Sequence, residues 1–217
     1  MALHVSTPIS DLRHIRQLME RSRYFIGLSG LSGVGAGCCA LVGVALVAAY
    51  RVVAGHPPLY LAAAESGAGL HPWGVEPLPF LLAVAAMVVA AAVSTAVYFT
   101  HRRVARLGYT IADRRTYKLL LNLAVPLAAG GAFCLGLIYH GEAELVAPAT
   151  LVFYGLALLN GSNFTTEDLR VLAYLEIGIG LLALAFPAYG LYCWALGFGL
   201  LHIAYGYWLY LKYDAHE

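Results

Sequence analysis

Six apolar runs separated by short polar segments decide what this chain can fold into. They lie at roughly 25–53, 78–100, 118–139, 145–160, 169–186 and 190–211, close to the ~20 residues that a helix needs to cross the hydrocarbon of a bilayer. Lipid offers no hydrogen-bond partner to a backbone. Such runs are therefore held as helices, which pair their own N–H and C=O groups. Charge is scarce in keeping with this: 12% of the 217 residues are charged, against about a quarter in a soluble domain. The pattern predicts an all-α polytopic membrane protein. Its single six-helix transmembrane domain, over 24–217, follows a cytoplasmic lead-in over 1–23. The fourth run is short, which suits little tilt or a thinned bilayer, and the first is long enough to tilt or bend.

Charge orients these spans. With the N-terminus inside, the cytoplasmic segments hold Arg13, Arg16, Arg21, Arg23, Arg102, Arg103, Arg106, Arg114, Arg115, Lys118, Arg170 and Lys212. The outer segments hold only Arg51, together with Glu65, Glu76, Glu142 and Glu144. Basic residues concentrate on the cytoplasmic side of membrane proteins, so both termini are expected there. No short apolar core with a small-residue cleavage site opens the sequence, so the first span is expected to serve as the insertion signal. In the long outer loop, Pro57–Pro58 can start a short interfacial helix over 59–65.

The lead-in "STPISDLRHIRQLMERSRY" starts like a helix at Thr7–Pro8. Ile9, Leu12, Ile15 and Met19 gather on one face, and Arg13, His14, Gln17 and Arg21 on the other. Two uses fit this amphipathic segment: lying on the inner leaflet with arginines at anionic headgroups, or docking a cytoplasmic protein partner. The first is the commoner use of such helices.

The stretch "FIGLSGLSGVGAG" at 25–37 carries five glycines. A phosphate loop needs a following lysine, and a dinucleotide fingerprint needs a βαβ unit; neither is present. Gly30, Gly33, Gly37 and Ala40 instead recur along one helix face, and Ser29, Gly33 and Gly37 make a row of small residues. Rows of this kind let a neighbouring backbone approach closely. Local unwinding to line a binding site is the alternative.

Ionisable groups inside the spans are the remaining candidates for chemistry. Glu176 precedes the turn near 188–189 by about as many residues as His202 follows it, so at ~1.5 Å per residue the two share a depth. Such a pair can lock the hairpin, titrate protons in a transport path, or bind a polar group. Ser29, Ser32, Ser94, Thr95, Asn122, Asn160, Tyr174 and Tyr205 form a polar belt in the inner half. That belt suits either a cytoplasmic cavity or ordinary interhelical hydrogen bonding.

His56, His71 and His140 share the outer face with the glutamates as weak metal candidates, but their spacing matches no metal motif. Cys38, Cys39, Cys134 and Cys193 lie within apolar runs and read as small buried hydrophobes. No nucleophile elbow or HExxH motif occurs. The chain is therefore expected to be no enzyme, with no cofactor and no nucleic-acid partner.

The passage "ERSRYFIGLSGLSGV" at 20–34 resembles the start of an uncharacterised family of small bacterial six-helix inner-membrane proteins. There a basic amphipathic lead-in runs into a Ser-Gly-Leu-Ser-Gly segment. The resemblance implies a bacterial inner-membrane location and carries no catalytic residues. Two functional expectations result. The first is a small transporter or channel-like protein, linked to protons or a small solute, with Glu176 and His202 as responsive groups. The second is a non-catalytic scaffold or regulator that docks a partner through its N-terminal helix. Lipids are the expected surroundings, and a homodimer would give so small a bundle a larger interior.

Overall fold

The computed structural model describes residues 29–56, 72–106, 114–165 and 168–214. The lead-in over 1–23, the 59–65 segment and His71 lie outside the described residues. Every regular element within them is helical. Five helices come first: α1 (Gly30–Val53), α2 (Pro77–Arg106), α3 (Arg114–Tyr139), α4 (Val146–Gly161) and α5 (Asp168–Ala185). The sixth, α6, is composite. Its α-helical Gly190–Trp194 widens into a π-helix over Ala195–Leu201, returns to α over His202–Leu209, and widens again over Tyr210–Asp214.

Four helical stretches are long and apolar enough to cross a membrane: Gly30–Val53, Pro77–Arg106, Thr116–Tyr139 and Ala143–Phe164. The other two differ from a plain apolar crossing. α5 places Asp168, Arg170 and Glu176 within 18 residues, and α6 changes pitch.

Backbone chemistry sets the ends. Ser29 is extended just before α1. Gly55 and Gly141, at φ of 80° and 84°, follow α1 and α3 in the left-handed conformation that closes helix C-termini. Pro187 opens the turn between α5 and α6. α2 runs on to Arg106, so Arg102, Arg103 and Arg106 ride on a helix rather than in a cytoplasmic loop. The reason is packing: Arg103 and Val104 are buried, which keeps the last turns wound.

Glycine contacts fix how the helices run. Gly35 lies against Thr95, and Gly43 against Val88, so α1 and α2 are antiparallel. Gly161 faces Leu119 and Leu123 while Gly130 faces Phe153, which sets α3 antiparallel to α4. Gly155 meets Ala173 and Ile177 while Gly180 meets Leu151 and Val152, which does the same for α4 and α5. The last helix lies between these groups, touching α1 on one side and α4 and α5 on the other.

Two apolar clusters result. Ala40, Val44, Val47, Val84, Val88 and Leu191 join α1, α2 and α6. Leu158, Leu169, Leu172 and Ala173 join α4 and α5, with Leu201 and Tyr205 of α6 against them. Cys38 is exposed and Cys39 and Cys193 are only half-buried, so of the four cysteines Cys134 alone is fully buried. Cys38 follows Gly37 around the helix, off the packed glycine face, which leaves it on the outer surface.

Candidate functional site

The buried face of α5 runs Leu169, Leu172, Ala173, Glu176, Gly180 and Ala183. That is the i, i+3, i+4, i+7 stripe of a helix packed on one side, and Glu176 occupies a position in it that packing would give to leucine. Its side chain is 0% exposed. The room for it comes from α6. A Cβ placed on Gly197 would stand 2.6 Å from Glu176 Oε2 and 2.6 Å from Leu151 Cδ2, so only glycine leaves the carboxylate its recess.

The π-helical segment then positions the partner. A π-turn inserts an extra residue into the helical repeat, and here it places the Gly197 carbonyl beneath the ring of His202. His202 Nδ1 lies 3.0 Å from the Gly197 oxygen and 3.2 Å from Glu176 Oε1. On the other side of the ring, Nε2 lies 2.9 Å from the Tyr154 hydroxyl on α4. Phe198 packs at 5.9 Å from the imidazole and 4.9 Å from Tyr154, centroid to centroid. Trp194 extends this aromatic wall at 4.9 Å from Phe198. Three helices thus bring a glutamate, a histidine and a tyrosine into one apolar-walled cluster.

The geometry fixes the histidine tautomer. A carbonyl oxygen can only accept, so Nδ1, facing Gly197, carries a proton. That N–H donates to the carbonyl, and Nδ1 also lies within ion-pair distance of the carboxylate. Nε2 then has two states. In neutral imidazole it accepts from the Tyr154 hydroxyl; in imidazolium it donates to the hydroxyl oxygen. The tyrosine serves both, because a hydroxyl donates and accepts.

Among the described residues neither carboxylate oxygen makes a hydrogen bond, and the 3.2 Å approach of Nδ1 is the single ion-pair contact of Glu176. A buried charge without compensation is costly.

The other sequence candidates are distributed around this cluster. Gly30, Gly33 and Gly37 of α1 face Gly206, Gly199 and Ile203 of α6. A Cβ on Gly33 would lie 3.3 Å from the His202 carbonyl oxygen, so this glycine seam backs directly onto a cluster residue. Ala40 sits beyond it, in the α1–α2–α6 cluster. Ser29 and Ser32 are buried at the start of α1, where the Ser32 hydroxyl donates to the Ser29 carbonyl at 2.5 Å. Asn160 donates to the Asn122 carbonyl at 2.9 Å, tying α4 to α3, and Asn122 donates to Lys118 of its own helix. Ser94 and Thr95 likewise bond back to α2 carbonyls. Tyr205 packs against the Leu158–Leu169–Leu172–Ala173 cluster, whereas Tyr174 is 60% exposed on the outer surface of α5. The belt is thus split among separate contacts.

His56 and His140 are exposed, and no group of three or more metal-ligating side chains occurs among the described residues. Tyr154 and Gly197 were absent from the sequence candidates. Gly197 stands five residues before His202, a π-helical spacing that sequence periodicity does not signal. Tyr154 is one aromatic residue within an apolar run, and its role depends on how α4 is rotated.

Comparison of the chain with protein-family profiles, with curated proteins and with solved structures found no match.

Proposed function

We propose that this chain is a small bacterial inner-membrane transporter or channel-like protein whose activity is coupled to protons at the Tyr154–His202–Glu176 cluster. On this reading all six helices cross the bilayer and both termini are cytoplasmic. The clustering of basic residues at one end supports that orientation. The pairing of Lys212 with Asp168 at 2.8 Å ties the end of α6 to the start of α5, which puts these two helix ends on one side of the bundle.

One observation carries the proposal: the Glu176 carboxylate is wholly buried midway along its helix, with no hydrogen bond and only His202 Nδ1 at ion-pair distance among the described residues. An ionisable group within a membrane bundle is expensive and marks a functional position by default. The chemistry follows from the proton inventory. In its neutral form the cluster suits a dry interior. Loss of one proton leaves a net negative charge between α4, α5 and α6, and water or a cation must enter to compensate it. Proton release thereby favours a loosened α4–α6 interface, and proton uptake favours the packed one described here.

The test is flux in liposomes holding the full chain, read with an enclosed pH-sensitive dye under an imposed potassium diffusion potential. Wild type should pass protons faster than empty vesicles. Glu176→Gln and His202→Ala should lose most of that excess. Flux in both variants equal to wild type would remove the basis of the proposal.

A further inference from the structure

We infer that the last four turns of α2 form a binding site for an anionic phospholipid. The helix has 30 residues, or ~45 Å at 1.5 Å per residue, whereas the hydrocarbon core is ~30 Å thick. About ten residues must therefore stand in the headgroup layers, and the end from His101 to Arg106 carries the charges that belong there. An open groove follows this end of the helix. Its walls include Val93, Val97, Tyr98, His101, Arg102 and Arg106, which form two i, i+4 rows, Val93–Val97–His101 and Tyr98–Arg102–Arg106, winding side by side along the helix. Polarity changes along the groove in one direction: valines deepest, then tyrosine, then histidine and two arginines. A phospholipid has the same gradient, acyl chain to phosphate.

Charge singles this face out. Arg102 and Arg106 are exposed and have no carboxylate partner among the described residues, while Lys212 is paired with Asp168 and Arg170 donates to Ser162 at 3.2 Å. Arg103, between them in sequence, is turned inward and buried. Arginines at i and i+4 repel each other on a helix surface, and an anion held between them turns that repulsion into two attractions. No acidic residue lies in α1 or α2 to compete for them. A guanidinium fork matches phosphate oxygens in geometry as well as charge. A zwitterionic lipid also offers phosphate, but its ammonium group places a positive charge against the same arginines. The preference is accordingly for a net-anionic headgroup such as phosphatidylglycerol.

The experiment uses the full chain in nanodiscs of equal phosphatidylglycerol and phosphatidylcholine with matched acyl chains. Native mass spectrometry then counts the lipids that stay bound when the disc is stripped. Two basic residues near an anionic headgroup together favour it roughly thirtyfold. Wild type should retain phosphatidylglycerol in large excess, and the Arg102→Gln/Arg106→Gln double variant should retain the two lipids about equally. Lys118→Gln, which removes an exposed charge near the same end but outside the groove, should behave as wild type. The inference fails if wild type shows no preference, if the double variant keeps it, or if Lys118→Gln abolishes it equally.

Discussion

Gly206 offers a direct measure of how closely α1 and α6 are pressed together. A Cβ there would stand 2.5 Å from the Val34 nitrogen, 2.6 Å from the Gly30 oxygen and 2.9 Å from the Gly33 carbonyl carbon. Unbonded heavy atoms settle at about 3.5–4.0 Å, so Gly206→Ala must push the two backbones apart by roughly 1 Å. All three obstructing atoms are backbone, and none can turn aside as a flexible side chain would. Overpacking of this kind costs about 1–3 kcal/mol, and the higher helix propensity of alanine returns up to about 1 kcal/mol. A net loss of about 1–2 kcal/mol follows, a 5- to 30-fold fall in the folded-to-unfolded ratio. Reversible unfolding in mixed micelles, titrated with a denaturing detergent and followed by circular dichroism, reads this directly. Gly178→Ala is the internal control. Gly178 is exposed and a Cβ there meets nothing within 4 Å, so that variant should be as stable as wild type or slightly more so. If Gly206→Ala matches the control, the two helices are not held in backbone contact and the seam has been misread.

Three further outcomes follow from the cluster and its surroundings. His202→Ala leaves the fully buried Glu176 without its one ion-pair partner among the described residues and should lower stability by about 3–5 kcal/mol, whereas Glu176→Gln keeps the shape without an ionisable group and should cost less; equal losses in the same unfolding assay would contradict the pairing. Nitrogen NMR of labelled histidine, with the His202→Ala spectrum subtracted, should show a protonated Nδ1 that Tyr154→Phe leaves in place; an Nε2–H tautomer in wild type would overturn the assignment. Asp168→Ala should change stability by less than about 1 kcal/mol, because its ion pair with Lys212 is solvent-accessible on both sides; a larger loss would mean that this clasp organises the end of the bundle.

How much of this could be read from residues alone depends on what each feature needs. The helices answer to apolar length, which is local, and four of them stand out as membrane-length segments. Glu176 and His202 could be set at one depth by counting from Pro187, because helical rise is constant. Their separation of 3.2 Å could not, since contact also requires the rotation of each helix about its axis. That rotation is set by packing: the glycine seam turns one side of α6 toward α1, which leaves His202 for α4 and α5. Tyr154 was invisible for the same reason. The π-helix over Ala195–Leu201 was hidden differently, since its residues are as apolar and glycine-rich as those of the α-helical turns beside it. The second run was expected to end at 100 because charge density suggests solvent, while the helix continues to Arg106 with Arg103 and Val104 buried.

The seam between α1 and α6 also bears on how the chain is made. Gly30 lies against Tyr210, 180 positions later in the sequence. Synthesis proceeds at about 5–20 residues per second, so the glycine face of α1 is translated roughly 10–35 s before the backbone that finally covers it. For that interval the newly made helix presents a smooth, sticky surface to whatever other helix is near. An insertion chaperone or a second nascent copy arriving in that window could occupy the groove first, and a ribosome pause would lengthen the window. The order in which this bundle closes is therefore a race that its last helix, the one carrying His202, must win.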